Sequence, residues 1–471
     1  MTESHDIVII GAGISGLTTA WRLCKAGFDV TVLEQGSSAG GTIQTVQENG
    51  WLIDTGPNSA LETTPLFGEL FVDLRIEDEV VYASEVSNNR YIVRNGKLHA
   101  LPMSPGAFLR SRLWSWPGKL RLLKEPFVGR AKDEETVAGF VTRRLGVEFL
   151  DYAINPFVAG VFAGDPQKLS VRAAFPKLYA LEKNYSSLIK GQILGVKERK
   201  KRAEKAKDRA RMFSFKLGMR TLPESLSKSL SDKIKTGFHV QRISQLATHN
   251  GNEKKFRVSG THKGKNVDIT SRAVIMAIPA YATAQLIEST DHPLAGTLRK
   301  IYYPPVAEVF LGFRQDQVGI KLDGFGFLVP EKEQRKILGT IWSSSIFPDR
   351  APAGCVALTT FVGGSRQPEL TQKRDGELAE IVVQELRELM HVRGNPIHSK
   401  IARWERAIPQ YQLGHLEIMQ DIAEFEQNNP GLFLTGNYRG GISVGDCLMS
   451  SASIAERVSA IMKPAKETID A

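Results

Sequence analysis

Three glycines in the stretch "GAGISG" limit what the start of this chain can form. Gly11, Gly13 and Gly16 stand between the apolar run "DIVII" and the helix-periodic run "LTTAWRLCKAG". A second apolar run, "DVTVLE", ends on Glu34, 18 residues after Gly16. Strand, glycine turn, helix, strand and acid in that order predict a βαβ unit of the dinucleotide-binding kind. Gly11 allows the tight turn, Gly13 lets the backbone approach a pyrophosphate, and Gly16 lets the helix pack close to the strand. The helix start, with Ile14 and Ser15, offers N–H groups and a positive dipole end to phosphate. Glu34 is placed to accept from ribose hydroxyls.

The rest of the composition narrows the class. A chain of 471 residues is long enough for more than one domain. Its formal charge of +10 favours an anionic partner: nucleic acid, an acidic membrane surface or an acidic small molecule. Cys24, Cys355 and Cys447 are far apart and predict neither a disulfide framework nor a metal site. The nine histidines are scattered, and no His/Cys/Asp constellation suggests hydrolysis or metal catalysis. No apolar run reaches the length of a membrane span, and the N-terminus carries no leader pattern. The expected location is cytoplasmic, peripheral on the inner face of the cell membrane.

A second glycine pair, Gly40-Gly41, follows Glu34 in "GSSAGGTIQT". Near the C-terminus, "GLFLTGNYRGGISVGDCLMSSASIAERV" reads as a strand, a glycine-rich loop and a helix from about Asp446. Together these ends resemble the amine-oxidase-like flavoprotein superfamily, in which both chain ends meet on one FAD. The resemblance implies FAD contacts from Gly11, Gly13, Ile14, Ser15, Gly16, Glu34, Gly40, Gly41 and Thr42. It implies more from Gly56, Pro57, Asn58, Val240, Ala277, Trp404, Gly436, Gly441, Ile442, Ser443 and Val444. Tyr411 is expected near the flavin ring, or else in the core.

The expected fold is α/β, α+β overall, in three parts. A split, doubly wound FAD-binding domain takes residues 1–80, 226–272 and 418–471. A β-sheet substrate domain takes 81–84, 196–225 and 273–417. Residues 85–195 form a helical, membrane-associated region. "FKLGMRTLPESLSKSL" reads as a helix, and "FRVSG", "VDITSRAVIMAIPA" and "YATAQLI" as a β-rich insert. In "GAFLRSRLWSWPGKLRLLKEPF", Leu109, Leu113, Trp114, Trp116, Leu120, Leu122 and Leu123 mix with Arg110, Arg112, Lys119, Arg121 and Lys124. That suits a membrane interface; an ordinary helix pair packed on the core is the equal alternative. The run Lys197–Arg211 has nine basic residues against three acidic ones and reads as a solvated segment. Nothing accompanies it that predicts nucleic-acid binding.

Narrower blocks carry a closer resemblance. "DTGPNSALE", "NRYIVRNGKLHALP", "NPFVAGVFAGDPQKLSVRAAFP", "GFGFLVP", "LGTIWSSSIFPDRAP", "TTFVGGSR" and "WERAIPQYQLGH" are similar to the protoporphyrinogen oxidases, and with the termini span nearly the whole chain. The resemblance implies a flavoenzyme that removes six electrons from a porphyrinogen, with oxygen as acceptor and hydrogen peroxide as product. Hydride passes to flavin N5 three times, and no protein side chain is assigned a catalytic role. Arg90 matches the arginine that pairs with a propionate, although Arg94 could serve instead. Gly160 matches the small residue beside a pyrrole ring. Leu328, Ile341 and Phe361 match the ring clamp, and Asn58 a polar residue near flavin and substrate. Where plant members show paired glycine, this chain has Ala163 before Gly164. The partners implied are an acidic tetrapyrrole, molecular oxygen and an anionic membrane surface, with a homodimer as one option.

Three other readings stay open at this level. A coproporphyrinogen oxidase of the same fold would need extra cations for two more propionates. An amine oxidase or carotenoid desaturase would use the same scaffold. A non-catalytic flavin-bearing scaffold would bind the cofactor without turning over porphyrinogen.

Overall fold

The computed structural model describes residues 3–194, 210–246 and 255–462. Nearly all of the basic run Lys197–Arg211 lies outside the described residues.

The apolar alternation of the opening strand decides the first layer. Along Glu3–Ile10, Ile7 and Ile9 enter one core while Val8 and Ile10 enter another. Val274 and Ile275 divide in the same way, as do Phe433 and Leu434. A strand that is apolar on both faces must be covered on both. Full burial of such side chains stabilises by about 1.5–3 kcal/mol each. The result is a seven-stranded sheet. Its order is Ile234–Thr236, Val30–Glu34, Glu3–Ile10, Lys265–Met276, Lys255–His262, Phe238–Leu246. Leu432–Leu434 pairs in parallel with the far end of Lys265–Met276. Helices Ile14–Lys25, Thr221–Leu230 and Val444–Ile461 cover one face; Ala280–Ile287, His292–Leu298 and His415–Asn428 cover the other.

A second seven-stranded sheet runs His398–Trp404, Val306–Arg314, Cys355–Gly363, Gly339–Ile341, Gly326–Leu328, Tyr91–Arg94, Lys97–Ala100. Helix Asp375–Met390 packs on one face through Leu378, Val382 and Leu386. The other face looks into the molecule and carries the site described below. A third core gathers the short helices between Pro105 and Leu194 around Trp114, Phe140, Phe149 and Phe162.

Several expected boundaries move. Tyr91–Arg94 and Lys97–Ala100, placed by the sequence in the helical region 85–195, form a hairpin on the edge of the second sheet. Its turn residues, Asn95 and Gly96, have φ of 52° and 70°. Both positive values fit a tight hairpin turn. The stretch Phe215–Leu230 is helical only over Thr221–Leu230, because Met212–Phe215 is a strand paired with Val80–Tyr82 and Ala60–Leu61. Phe213, Phe215, Met219 and Leu222 then pack in the first core, away from the second domain to which 196–225 was expected to belong. "YATAQLI" is a helix, Ala280–Ile287, on the face of the first sheet. It buries Ala280, Thr283, Ala284 and Ile287, a helical spacing that a strand cannot match.

The mixed helical segment splits between its two readings. Leu113 and Trp114 are core, and Lys119 is buried, its ammonium donating to the carbonyls of Leu109 and Ser111. Leu109, Trp116, Leu120 and Leu123 are exposed, with Arg110, Arg112 and Lys124. No helix among the described residues is long and apolar enough to cross a membrane.

Candidate active site

The glycine turn closes as its sequence predicts. A methyl on Gly16 would lie 1.9 Å from the Gly11 carbonyl oxygen, so helix and turn touch through backbone alone. A methyl on Gly13 would meet nothing within 4 Å. The turn is therefore tight on one side and open on the other. Helix Ile14–Lys25 starts with no side-chain cap and no acidic residue in its first turn. Its positive dipole end is left for an anion. Glu34 receives Ala12 N–H at 2.8 Å on one oxygen and Gly36 N–H at 2.7 Å on the other, and each oxygen keeps a second lone pair. Gly237 N–H donates to the Gly36 carbonyl at 2.9 Å, bringing the strand of Val240 beside Glu34. Val240 itself stands at a bulge, where the register with Lys255–His262 shifts.

The remaining predicted cofactor residues assemble around the same opening. Gly40 bridges to Gly13, and a methyl on Gly41 would lie 3.1 Å from the Gly13 Cα. Gly56 presses on Thr42, whose carbonyl oxygen would be 2.0 Å from an added methyl. Pro57 and Asn58 follow, both half-buried. Ala277 N–H donates to Ile10, and its carbonyl closes on Gly11. Ser451 Oγ donates to the Ser15 carbonyl at 3.0 Å, so the last helix lies against the first. The loop from Gly436 to Gly441 is pinned by Tyr411, whose hydroxyl donates to Asn437 O at 2.6 Å and accepts from Gly441 N–H at 3.0 Å. Trp404 donates through Nε1 to Thr55 O at 2.9 Å. The helix beginning at Val444 differs from the first: Ser443 caps it, and Asp446 in its first turn hydrogen-bonds back to Ser443. Ile442 packs toward the helical core.

Strand register joins the predicted substrate residues. Leu328 pairs with Gly339, Gly339 with Phe361, and Phe361 with Glu308, so these share a face with Ile341. Ile92 pairs with Leu328, which places Arg94 on that face and Arg90 two residues before it. Helix Asn155–Phe162 crosses over the face. A methyl on Gly160 would lie 2.5 Å from Leu328 Cδ2, and Ala159 and Ala163 pack toward Phe361. Leu328, Ile341 and Phe361 are only half-buried, as a slot requires. Ala163, where glycine was noted to be usual, has φ of 48°, in the left-handed region.

The two arginines separate. Arg94 is committed to the Glu148 carboxylate at 2.9 Å, the Leu113 carbonyl and the Tyr152 ring. Arg90 is exposed, lies over the Phe325 ring at 5.6 Å, and has no carboxylate partner among the described residues. Phe325 in turn lines a pocket with Ile341, Asn58, Phe310 and Phe347. The charges deeper in that pocket cancel, since Asp54 and Arg350, both buried, stand 3.5 Å apart. Burial pushes the Asp54 carboxyl up, with Arg350, Thr45 and the Met219 N–H pulling against it.

Three residues outside the sequence reading shape the slot. Arg366 is half-buried and donates to Asn155 Oδ1 at 2.6 Å and to Val329 O at 2.7 Å; burial lowers its guanidinium to about 10. It latches the start of helix Asn155–Phe162 onto the sheet. Gln410 holds the other end, donating to Phe162 O at 2.8 Å. Glu308 is buried on the slot face, and among the described residues its side chain hydrogen-bonds to Asn58 alone. A lone carboxylate inside the apolar strand "VAEVFLGF" was the signal that could have exposed it.

Residues 14–459 match the family described as flavin-containing amine oxidoreductase. The chain belongs to that family. Protoporphyrinogen oxidase of Nicotiana tabacum mitochondria is 36% identical, covering 97% of this chain and 95% of its own. Coproporphyrinogen III oxidase of Bacillus subtilis is 28% identical over 94% of this chain and 95% of its own. A solved structure from Exiguobacterium sp. 255-15, provisionally described as a protoporphyrinogen oxidase, superimposes with a TM-score of 0.81 at 23% identity, covering 98% and 100%. This flavoprotein is an FAD-dependent oxidoreductase. Its open helix terminus, glycine-lined cradle and half-occupied Glu34 fit a dinucleotide of FAD's chemistry.

Proposed function

We propose that the protein oxidises protoporphyrinogen IX to protoporphyrin IX in heme synthesis. The carrying observation is the arrangement of side chains on one sheet face: half-buried Leu328, Ile341 and Phe361 side by side, Gly160 packed bare on Leu328, and Arg90 without a carboxylate partner among the described residues. An apolar sheet face with a cation beside it suits a large macrocycle bearing propionates. The plant relatives at 32–36% identity carry the protoporphyrinogen oxidase name, against 28% for those named coproporphyrinogen III oxidase. A substrate with two further propionates would need more free cations than Arg90 supplies.

In this reading Arg90 captures a propionate, and a ring lies against Leu328 where Gly160 leaves the helix backbone bare. Arg366, Asn155 and Gln410 keep the helix at a fixed height above the sheet. The neutralised Asp54–Arg350 pair keeps net charge out of the chamber. The loops pinned by Tyr411 and Trp404 fix the wall where FAD is held. FAD, when bound, supplies two-electron acceptor chemistry, so six electrons leave in three rounds, with oxygen as final acceptor and hydrogen peroxide released.

The proposal extends to location. Trp116, Leu120, Leu123 and Phe127 are exposed on one segment, and Ile193 and Leu194 on the helix packed against it. With Arg110, Arg112 and Lys124 they suit the cytoplasmic face of an anionic membrane.

The test is an anaerobic mixture of the flavoprotein with protoporphyrinogen. Flavin bleaching with growth of porphyrin fluorescence on admitting air is expected. Preference for coproporphyrinogen in the same assay would reject the assignment.

A further inference from the structure

Asn58 has one amide, and both its hydrogens are spent. Nδ2 donates to Asp54 O at 3.0 Å and to Glu308 Oε1 at 3.0 Å. Asp54 O is a backbone carbonyl and can only accept, so the amide cannot be turned round without setting oxygen against oxygen. The remaining polar atom, Oδ1, makes no hydrogen bond among the described residues, and Asn58 lines the pocket beside Ile341 and Phe325.

Glu308 completes this arrangement from behind. It is buried on the strand that pairs with Phe361, inside an otherwise apolar run. Burial pushes its carboxyl well up, with the Asn58 hydrogen bond opposing and nearby Asp54 adding to the rise. A neutral acid there puts no net charge under the slot and still offers an acceptor to Asn58.

We propose that Glu308 is a positioning residue, locking the Asn58 amide so that Oδ1 faces the cleft as an acceptor for a ring N–H of the bound substrate. This rests on the macrocycle reading above, since a porphyrinogen carries four pyrrole N–H donors at its centre and few other donors that an apolar slot could use. Glu308 itself touches neither substrate nor cofactor. Asp54 O decides which end of the amide is presented, and Glu308, by taking the second amide hydrogen, holds that end steady toward the cleft.

The experiment measures protoporphyrin binding to the holoprotein by fluorescence quenching, beside steady-state turnover and flavin content. Glu308→Leu keeps the volume and removes the acceptor. It should weaken porphyrin binding and raise KM by about 5–10-fold, with kcat changed less and flavin retained. Glu308→Gln still offers an amide oxygen to Asn58 and should restore binding to within about twofold. Equal loss in both variants, or no loss in Glu308→Leu, overturns the inference alone. A wild-type holoprotein that binds no porphyrin overturns the macrocycle reading and this inference with it. Should Glu308→Leu not accumulate folded, Asn58→Asp asks the same question from the other side. Its carboxylate cannot donate to Asp54 O, and unchanged porphyrin binding in that variant overturns the proposal.

Discussion

Arg90 and Arg94 sit four positions apart in "NRYIVRNG", and nothing in that string tells them apart. Their partners do. Arg94 is held by Glu148, by a carbonyl and by the Tyr152 ring, whereas Arg90 lies over the Phe325 ring and has no carboxylate partner among the described residues. Arg90→Ala should therefore raise KM for the porphyrinogen about tenfold, with flavin content and thermal midpoint near wild type. Arg94→Ala should lower the midpoint instead, because it leaves the half-buried Glu148 carboxylate without its cation. Melting curves and KM measured on both variants would reverse the assignment if the effects were exchanged. Gly16 gives a second residue-scale prediction. An added methyl would sit 1.9 Å from a backbone oxygen that has no freedom to withdraw. Gly16→Ala should emerge largely without flavin, measured as the flavin-to-protein absorbance ratio, and a full complement would show that the turn can open.

At the scale of elements, the alternation of Ile7 to Ile10 was legible because each side chain has a core to enter. The Asn95-Gly96 turn was equally visible, yet the hairpin was absorbed into a helical region, since its partner strand Gly326–Leu328 lies far along the chain. The floor of the slot was reached only through family resemblance: no local pattern says that residues 328, 339 and 361 become neighbours. Glu308 was readable as an oddity and passed over. His415, at the start of its helix, is one of the nine scattered histidines, and its surroundings give it a structural part. Its ring stacks on Tyr411 at 4.1 Å, and Nε2 pairs with the Tyr438 carbonyl at 3.1 Å, which requires Nε2 to carry the proton. Nδ1 then has no partner among the described residues. Burial lowers this imidazole from 6.5 to about 4, with the Tyr438 carbonyl opposing. The phenols of Tyr411 and Tyr438 are pushed up by the same burial and stay neutral. A folded pKa below the unfolded one means that the unfolded chain takes the proton first. The contribution is whole above pH 6.5, drains away as pH falls toward 4, and is flat below that. Its full size is on the order of 3 kcal/mol. His415→Gln should be less stable at neutral pH but should lose less stability between about pH 6.5 and 4. Denaturant unfolding at several pH values would show parallel curves if the histidine were irrelevant.

For the whole molecule, the distribution of exposed apolar side chains gives the remaining test. Phe127 is 87% exposed, Leu123 69% and Trp116 62%, all within one short segment. Leu188 and Ile189 N–H groups bond to Glu125 there, so the helix that carries exposed Ile193 and Leu194 is docked on this segment. A free protein rarely leaves so many large side chains together in water. The same segment buries Leu113, Trp114 and Lys119, so it is a folded element whose outer surface is apolar by arrangement. Exposed Arg110, Arg112 and Lys124 supply attraction to anionic headgroups. Both contributions should be separable. Raising salt should weaken binding to anionic vesicles without abolishing it, because the apolar part is unscreened. Replacing Trp116, Leu123 and Phe127 together by serine should reduce co-sedimentation about tenfold or more. Trp116, Leu123 and Phe127 are exposed and are not among the slot residues of the second sheet, so the triple variant should still oxidise porphyrinogen in detergent. Retained vesicle binding would move the membrane face elsewhere; lost turnover in detergent would mean that the segment props the slot open.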